Sequence, residues 1–129
     1  INKGMSDALN LIKENGAIPV VIIPSPGTKN SPKCIIRNEL YNQDRKCISD
    51  IKMLYKNQEK FIAFLDKAKN IYPNLIIINP NKVVCNDSVC FDSLDDKPIY
   101  IDQGHLNSVG SRMIGEKYLK QFENPLNVD

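Results

Sequence analysis

The sequence predicts an α/β domain built on a parallel sheet. Two observations lead there. Amphipathic helical stretches alternate with short apolar runs, in the order helix, strand, loop, helix, strand, hairpin, short strand, helix. The runs at 18–23 and 75–78 are rich in β-branched residues and almost free of polar ones, the pattern of strands covered by helices on both faces. At 129 residues the chain is a single domain, residues 1–129, long enough to bury a real core.

The elements follow in order. Met5, Ala8, Leu9 and Ile12 recur at i, i+3, i+4 and i+7, one face of a helix. Asn15-Gly16 ends it, since glycine readily takes the left-handed conformation past a helix terminus. Ile18–Ile23 is the first strand, interrupted only by Pro19. Pro24-Ser-Pro-Gly-Thr28 follows at its C-terminal end, where open α/β sheets place their sites. Thr28–Lys33 reads as loop and Cys34–Ile51 as an irregular, partly basic stretch. Arg37, Arg45 and Lys46 there suit either a solvated loop or a rim for an anionic or sugar ligand.

Ser49 or Asp50 can cap a long helix running to about Tyr72, with Phe61, Phe64, Leu65 and Ala68 on its buried face. Leu75–Ile78 is the second strand, and the two strands are expected to be parallel neighbours. Val83–Val89 reads as a hairpin, Phe91–Pro98 as an acidic loop and Ile99–Ile101 as a short strand. A last helix from about Ser108 to Phe122 turns Val109, Met113, Tyr118 and Phe122 inward.

Composition excludes several classes. A net charge of +2 with scattered lysines gives no nucleic-acid stripe. No apolar run approaches the length of a membrane span. Ile1 opens directly on a helical pattern, so the chain is expected to be a fragment or a processed product.

The cysteines at 34, 47, 85 and 90 form two close pairs. An even number so grouped favours disulfides and an oxidising compartment. Three pairings are open; nearest neighbours give Cys34–Cys47 and Cys85–Cys90. Neither pair has the C-x-x-C spacing usual in zinc sites. Four reduced cytosolic thiols are the competing reading.

The stretch Ile99-Tyr-Ile-Asp-Gln-Gly-His-Leu-Asn-Ser-Val-Gly110 carries the candidate chemistry. His105, the sole histidine, lies three residues after Asp102 at a strand-to-helix turn. A carboxylate so placed can bond one imidazole nitrogen, fix the tautomer and leave the other nitrogen as a base. Asn107 or Ser108 can cap the following helix. On spacing alone the pair is equally a surface histidine beside a turn-forming aspartate.

Asp-Gln-Gly-His-Leu-Asn-Ser-Val-Gly resembles the last block of SGNH hydrolases, in which D-x-x-H supplies the Asp and His of a Ser-His-Asp triad. The longer form, with Tyr100 and Gly110, is similar to one branch of that superfamily. That branch is the C-terminal extracytoplasmic SGNH domain of bacterial membrane-bound O-acyltransferases. Its cysteine pairs, one after a strand ending in Pro and one shortly before D-x-x-H, resemble Cys34/Cys47 and Cys85/Cys90 here.

The resemblance covers nearly the whole chain. It implies a three-layer α/β/α sandwich, of which this chain would be the C-terminal portion, with catalytic roles for His105 and Asp102. It implies two-step acyl transfer to a hydroxyl of a cell-surface polysaccharide or glycan, with no metal or bound cofactor. Localisation would be periplasmic or at the cell surface, tethered through an upstream membrane domain.

One departure is large. The G-D-S nucleophile block and the blocks carrying the oxyanion-hole Gly and Asn have no counterpart here, so the serine would lie upstream of the chain. Asn86-Asp-Ser88 sits between two cysteines and does not match. Ser25 stands at a strand end, but its flanking prolines and the lack of a following helix speak for a rigid turn. Water as acceptor would make the protein a carbohydrate esterase. The missing serine leaves a non-catalytic, disulfide-stabilised binding domain as the alternative.

Overall fold

A computed structural model describes residues 2–30, 32–56 and 58–127. Helix α1 spans Asn2–Glu14. Leu9 is its buried anchor, Met5 and Ile12 are partly covered, and Ala8, expected inside, is exposed. Gly16, at φ +73°, ends the helix. Its N–H donates to the Lys13 carbonyl and that of Ala17 to Ile12, the paired bonds of a left-handed stop.

Strands β1 (Val20–Ile22) and β3 (Ile76–Ile78) pair in parallel, with Val20 opposite Ile76 and Ile22 opposite Ile78. The expected parallel neighbours therefore meet. Pro19 stays just outside the ladder, where its missing N–H costs nothing, while its carbonyl accepts the N–H of Ile76.

Helix cover forms on one face of this ribbon. Leu9 of α1 packs with Phe64 and Ala68 of α4 (Glu59–Ile71), with Tyr72 and Leu75, and with Val21 and Ile77 from the strands. Alternation sends Val20 and Ile22 the other way. Both are exposed, Ile22 by 62%. The described residues thus supply the sheet and one helical layer of the expected sandwich and leave this second face open.

The stretch expected to be irregular holds α2 (Lys33–Tyr41) and β2 (Ile48–Asp50). Helix α2 buries none of its residues, and its Ile36, Leu40 and Tyr41 stay exposed. The Cys34–Cys47 disulfide holds it instead. In the chain-entropy picture, closing that loop contributes about 3 kcal/mol. Strand β2 pairs antiparallel with β4 (Val89–Phe91), Ser49 facing Cys90.

The long helix expected to follow is α3 (Ile51–Lys56) and α4, with Gln58 buried and non-helical between them; residue 57 lies outside the described residues. Asp50 does cap α3, accepting the N–H of Lys52. The hairpin expected over Val83–Val89 narrows to Cys85–Cys90, closed by the second disulfide and by an Asn86 side chain that accepts the N–H groups of Ser88 and Val89. Val83 and Val84 belong to the short helix α5 (Asn81–Val84).

The acidic loop contains a hairpin, β5 (Ser93–Leu94) with β6 (Lys97–Pro98), turned by Asp95 and Asp96 at positive φ. The short strand expected at Ile99–Ile101 reduces to one antiparallel bridge between Tyr100 and Leu106. Helix α6 (Ser108–Gln121) buries Gly110 and Ile114, whereas Val109, expected inward, is exposed. Ile114 packs with Val84, Ile99 and Tyr100 in a second apolar cluster.

Two glycines of α6 give a paired prediction. A Cβ at Gly110 would come within 2.6 Å of the Ile99 Cβ, whereas one at Gly115 would meet nothing within 4 Å. Gly115→Ala should therefore stabilise by about 0.5–1 kcal/mol, the ordinary helix preference. Gly110→Ala should destabilise by about 1–3 kcal/mol, because the helix start must lift off Ile99. Urea denaturation of the two variants measures both signs.

Candidate active site

Asp102 and His105 meet as the spacing predicts. The bridge between Tyr100 and Leu106 pinches residues 101–105 into a tight loop, closed by the Ile101 N–H donating to the His105 carbonyl at 2.8 Å. Inside it, Asp102 Oδ1 accepts the backbone N–H of Gly104 at 2.7 Å and that of His105 at 2.8 Å. The His105 ring turns back so that Nδ1 lies 2.8 Å from Asp102 Oδ2. Asn107 caps α6, its side-chain oxygen accepting the Gly110 N–H at 2.6 Å.

These bonds pull the Asp102 carboxyl down to about 2, the Gly104 N–H acting most strongly and the His105 ring next. An ionised carboxylate only accepts, so Nδ1 carries the proton, and in the neutral ring Nε2 presents its lone pair. Nε2 makes no hydrogen bond among the described residues. Both side chains are open to solvent, 81% for His105 and 56% for Asp102.

The loop after β1 forms the neighbouring wall. The Thr28 N–H donates to the Gln103 carbonyl at 2.8 Å. Gly27, at φ +77°, lies so close that a Cβ there would stand 2.5 Å from that carbonyl oxygen. Gln58 Nε2 donates to the carbonyls of Pro24 and Ser25, and Asn81 Nδ2 to that of Pro24. Sequence reasoning missed both amides. A single Gln between helices and an Asn after Asn-Pro carry no pattern that betrays them.

Ser25 lies in this wall, not against His105. Its hydroxyl pairs with the Tyr100 hydroxyl at 2.9 Å and accepts the Gly27 N–H at 3.3 Å. That is the arrangement of a rigid turn. Burial raises the Tyr100 phenol, with Ser25 opposing this and Asp92 reinforcing it.

Behind the wall lies Asp92, 1% exposed, a residue that sequence reasoning placed in an acidic loop. Burial pushes its carboxyl up. The Thr28 side chain opposes this, and burial has the larger effect. Thr28 in turn contacts the Ser49 hydroxyl at 3.4 Å. Among the described residues no group of three His, Cys, Asp or Glu could hold a metal ion, and no helix is long and apolar enough to cross a membrane.

Two predictions follow from the opposed carboxyls. The folded state holds Asp102 below its ordinary value of 3.8, so its contribution to stability is present above that value and fades as pH falls toward about 2. Since the Gly104 bond leads, His105→Ala should raise the Asp102 carboxyl only part of the way; a carbon-detected NMR titration returning it fully to 3.8 would contradict this. Asp92 has the reverse sign. Its folded value is raised, so stability is greatest below the ordinary value and declines as pH climbs through the raised one. Asp92→Asn should raise Tm at neutral pH and flatten the Tm–pH profile on the acid side.

A family model described as the SGNH domain fused to AT3 domains matches residues 1–120. No curated protein and no solved structure matches the chain.

Proposed function

The chain belongs to the family of SGNH domains fused to AT3 domains, and on that footing we propose that it supplies the base and orienting acid of an O-acyltransferase acting on glycan hydroxyls at the cell surface. The observation that carries this is the Asp102–His105 pair, with Nδ1 tied to the carboxylate at 2.8 Å and Nε2 free. It sits in the Asp-x-x-His-Leu-Asn-x-x-Gly string that the family resemblance marks as its last block.

In this reading a serine carried by a segment ahead of residue 1 is the nucleophile. Nε2 takes its proton as Oγ attacks the acyl carbonyl, and the proton passes to the departing donor group. The glycan hydroxyl then gives its proton to Nε2, attacks the acyl-serine, and the proton returns to the serine oxygen. Asp102 keeps the ring oriented and stabilises the imidazolium at each stage. Two disulfides fit an oxidising compartment, which supports placing the domain outside the cytoplasm, held near the membrane through its AT3 partner. The engagement of Ser25 with Tyr100 favours a second reading, a glycan-binding domain without chemistry of its own.

The test compares two proteins. Residues 1–129 alone should neither hydrolyse aryl acetate esters nor react with a serine-directed fluorophosphonate. The chain joined to its upstream G-D-S segment should do both. In that longer protein His105→Ala should lower turnover by about three to six orders of magnitude, with Asp102→Asn costing less. Labelling of Ser25 in the short chain would overturn the assignment of the nucleophile. An unlabelled long protein with an intact G-D-S would favour the binding domain.

A further inference from the structure

Beside the His105 loop the structure gathers positive charge that the proposed chemistry does not use. Lys29, Lys33, Arg37, Arg45 and Lys46, with Asn30, line one concave pocket of about 330 Å³. All five cations are exposed, and none is in an ion pair among the described residues. Glu39 and Asp44 line the adjoining groove with Arg45 and Lys46 and do not pair with them. The whole chain has a net charge of only +2, so this is a local concentration of charge, not a general excess.

The pocket is built from three segments, each fixed by bonds of its own. The Cys34–Cys47 disulfide ties the α2 wall, which carries Lys33 and Arg37, to the loop leading into β2. Asn38 clamps that loop at Arg45, donating to its carbonyl at 2.7 Å and accepting its N–H at 3.3 Å. The third wall is held by Asn30 donating to the Ile48 carbonyl and by the Lys29 N–H donating to Ser49 Oγ. Holding five like charges around one hollow is unfavourable unless something negative enters it. Two guanidinium forks among them suit planar or tetrahedral oxyanions.

The third wall is shared with the candidate active site. Gln103, between Asp102 and His105, donates through Nε2 to the Lys29 carbonyl at 3.4 Å, one residue from the Thr28–Gln103 bond. A polymer lying across the Lys29 wall therefore passes the pocket and the loop that carries His105. We propose that this pocket is an anion subsite, which binds a carboxylate or phosphate group of an acidic glycan and so seats the polymer beside His105. The proposal rests on the acyltransferase reading for its choice of polymer. A recessed, disulfide-braced hollow next to the loop favours a glycan over a flat membrane surface.

Binding to residues 1–129, followed by calorimetry and by NMR shifts of the arginine side chains, tests it. The probes are an oligogalacturonide for carboxylate, a phosphorylated mannan oligosaccharide for phosphate, maltohexaose as neutral control, and vesicles rich in phosphatidylglycerol. One or both acidic oligosaccharides should bind, and maltohexaose should not. Affinity should weaken several-fold between about 0.05 and 0.5 M salt. Arg37→Ala and Arg45→Ala should each cost roughly tenfold. Both residues are exposed, and the exposed Lys33→Glu variant gives an independent check. Equal binding of acidic and neutral oligosaccharides, or affinity unchanged by all three substitutions, would overturn the proposal. So would tighter binding to the vesicles through the same residues. These readouts do not involve catalysis. A long protein inactive in acyl transfer, whose short chain still binds acidic glycan through Arg37 and Arg45, would sink the enzyme reading alone. Unimpaired transfer to an acidic acceptor in the Arg37→Ala/Arg45→Ala protein would sink the subsite alone.

Discussion

The arrangement depends on one close backbone approach, that of Gly27 and Thr28 to Gln103. The Thr28 N–H reaches the Gln103 carbonyl at 2.8 Å, and no side chain fits at position 27 without displacing that carbonyl. Through this contact the end of the parallel ribbon meets a loop 75 residues further along the chain. It sets where Gln103 sits, and Gln103 lies between the two residues whose relative position matters most. The same loop is gripped from behind by Gln58 and Asn81, which hold the Pro24 and Ser25 carbonyls. A local feature of the sequence, a carboxylate three positions before an imidazole, is thereby given a fixed place in the tertiary structure.

Much of this was legible because it is local. Apolar periodicity marked α1 and α4, β-branched runs marked β1 and β3, and cysteine grouping marked both disulfides. The Asp102–His105 bond follows from a spacing of three in a tight loop. What escaped depends on non-local partners. Strand β2 is three residues that become a strand by pairing with β4, and α2 is a helix without a buried residue. Asp92 looks like one more acid in an acidic loop until folding seals it under Thr28 and Tyr100. Val109 and Ile114 show the same limit on a finer scale. The tight contact of Gly110 with Ile99 sets the rotation of α6, so the helix turns Ile114 inward and Val109 out.

The two carboxyls of the site divide its physics. Asp92 is buried, and its charged form is disfavoured by loss of water. Asp102 is open to water, and its charged form is favoured by backbone N–H groups aimed at it. Each carries out its part by opposite means. The first is sealed from water next to β4, with its charged form disfavoured, and its charge raises the Tyr100 phenol. The second stays ionised over nearly the whole working pH range, so His105 keeps a partner that only accepts.

Exposure also fixes what Asp102 contributes. Water screens the charge–charge attraction between an exposed carboxylate and an exposed imidazolium. Direction survives screening, because hydrogen-bond geometry holds Nδ1 and leaves Nε2 pointing outward. In the chain as described, Asp102 therefore acts on His105 chiefly by orientation. The electrostatic part of its role grows only when something covers the loop and displaces water.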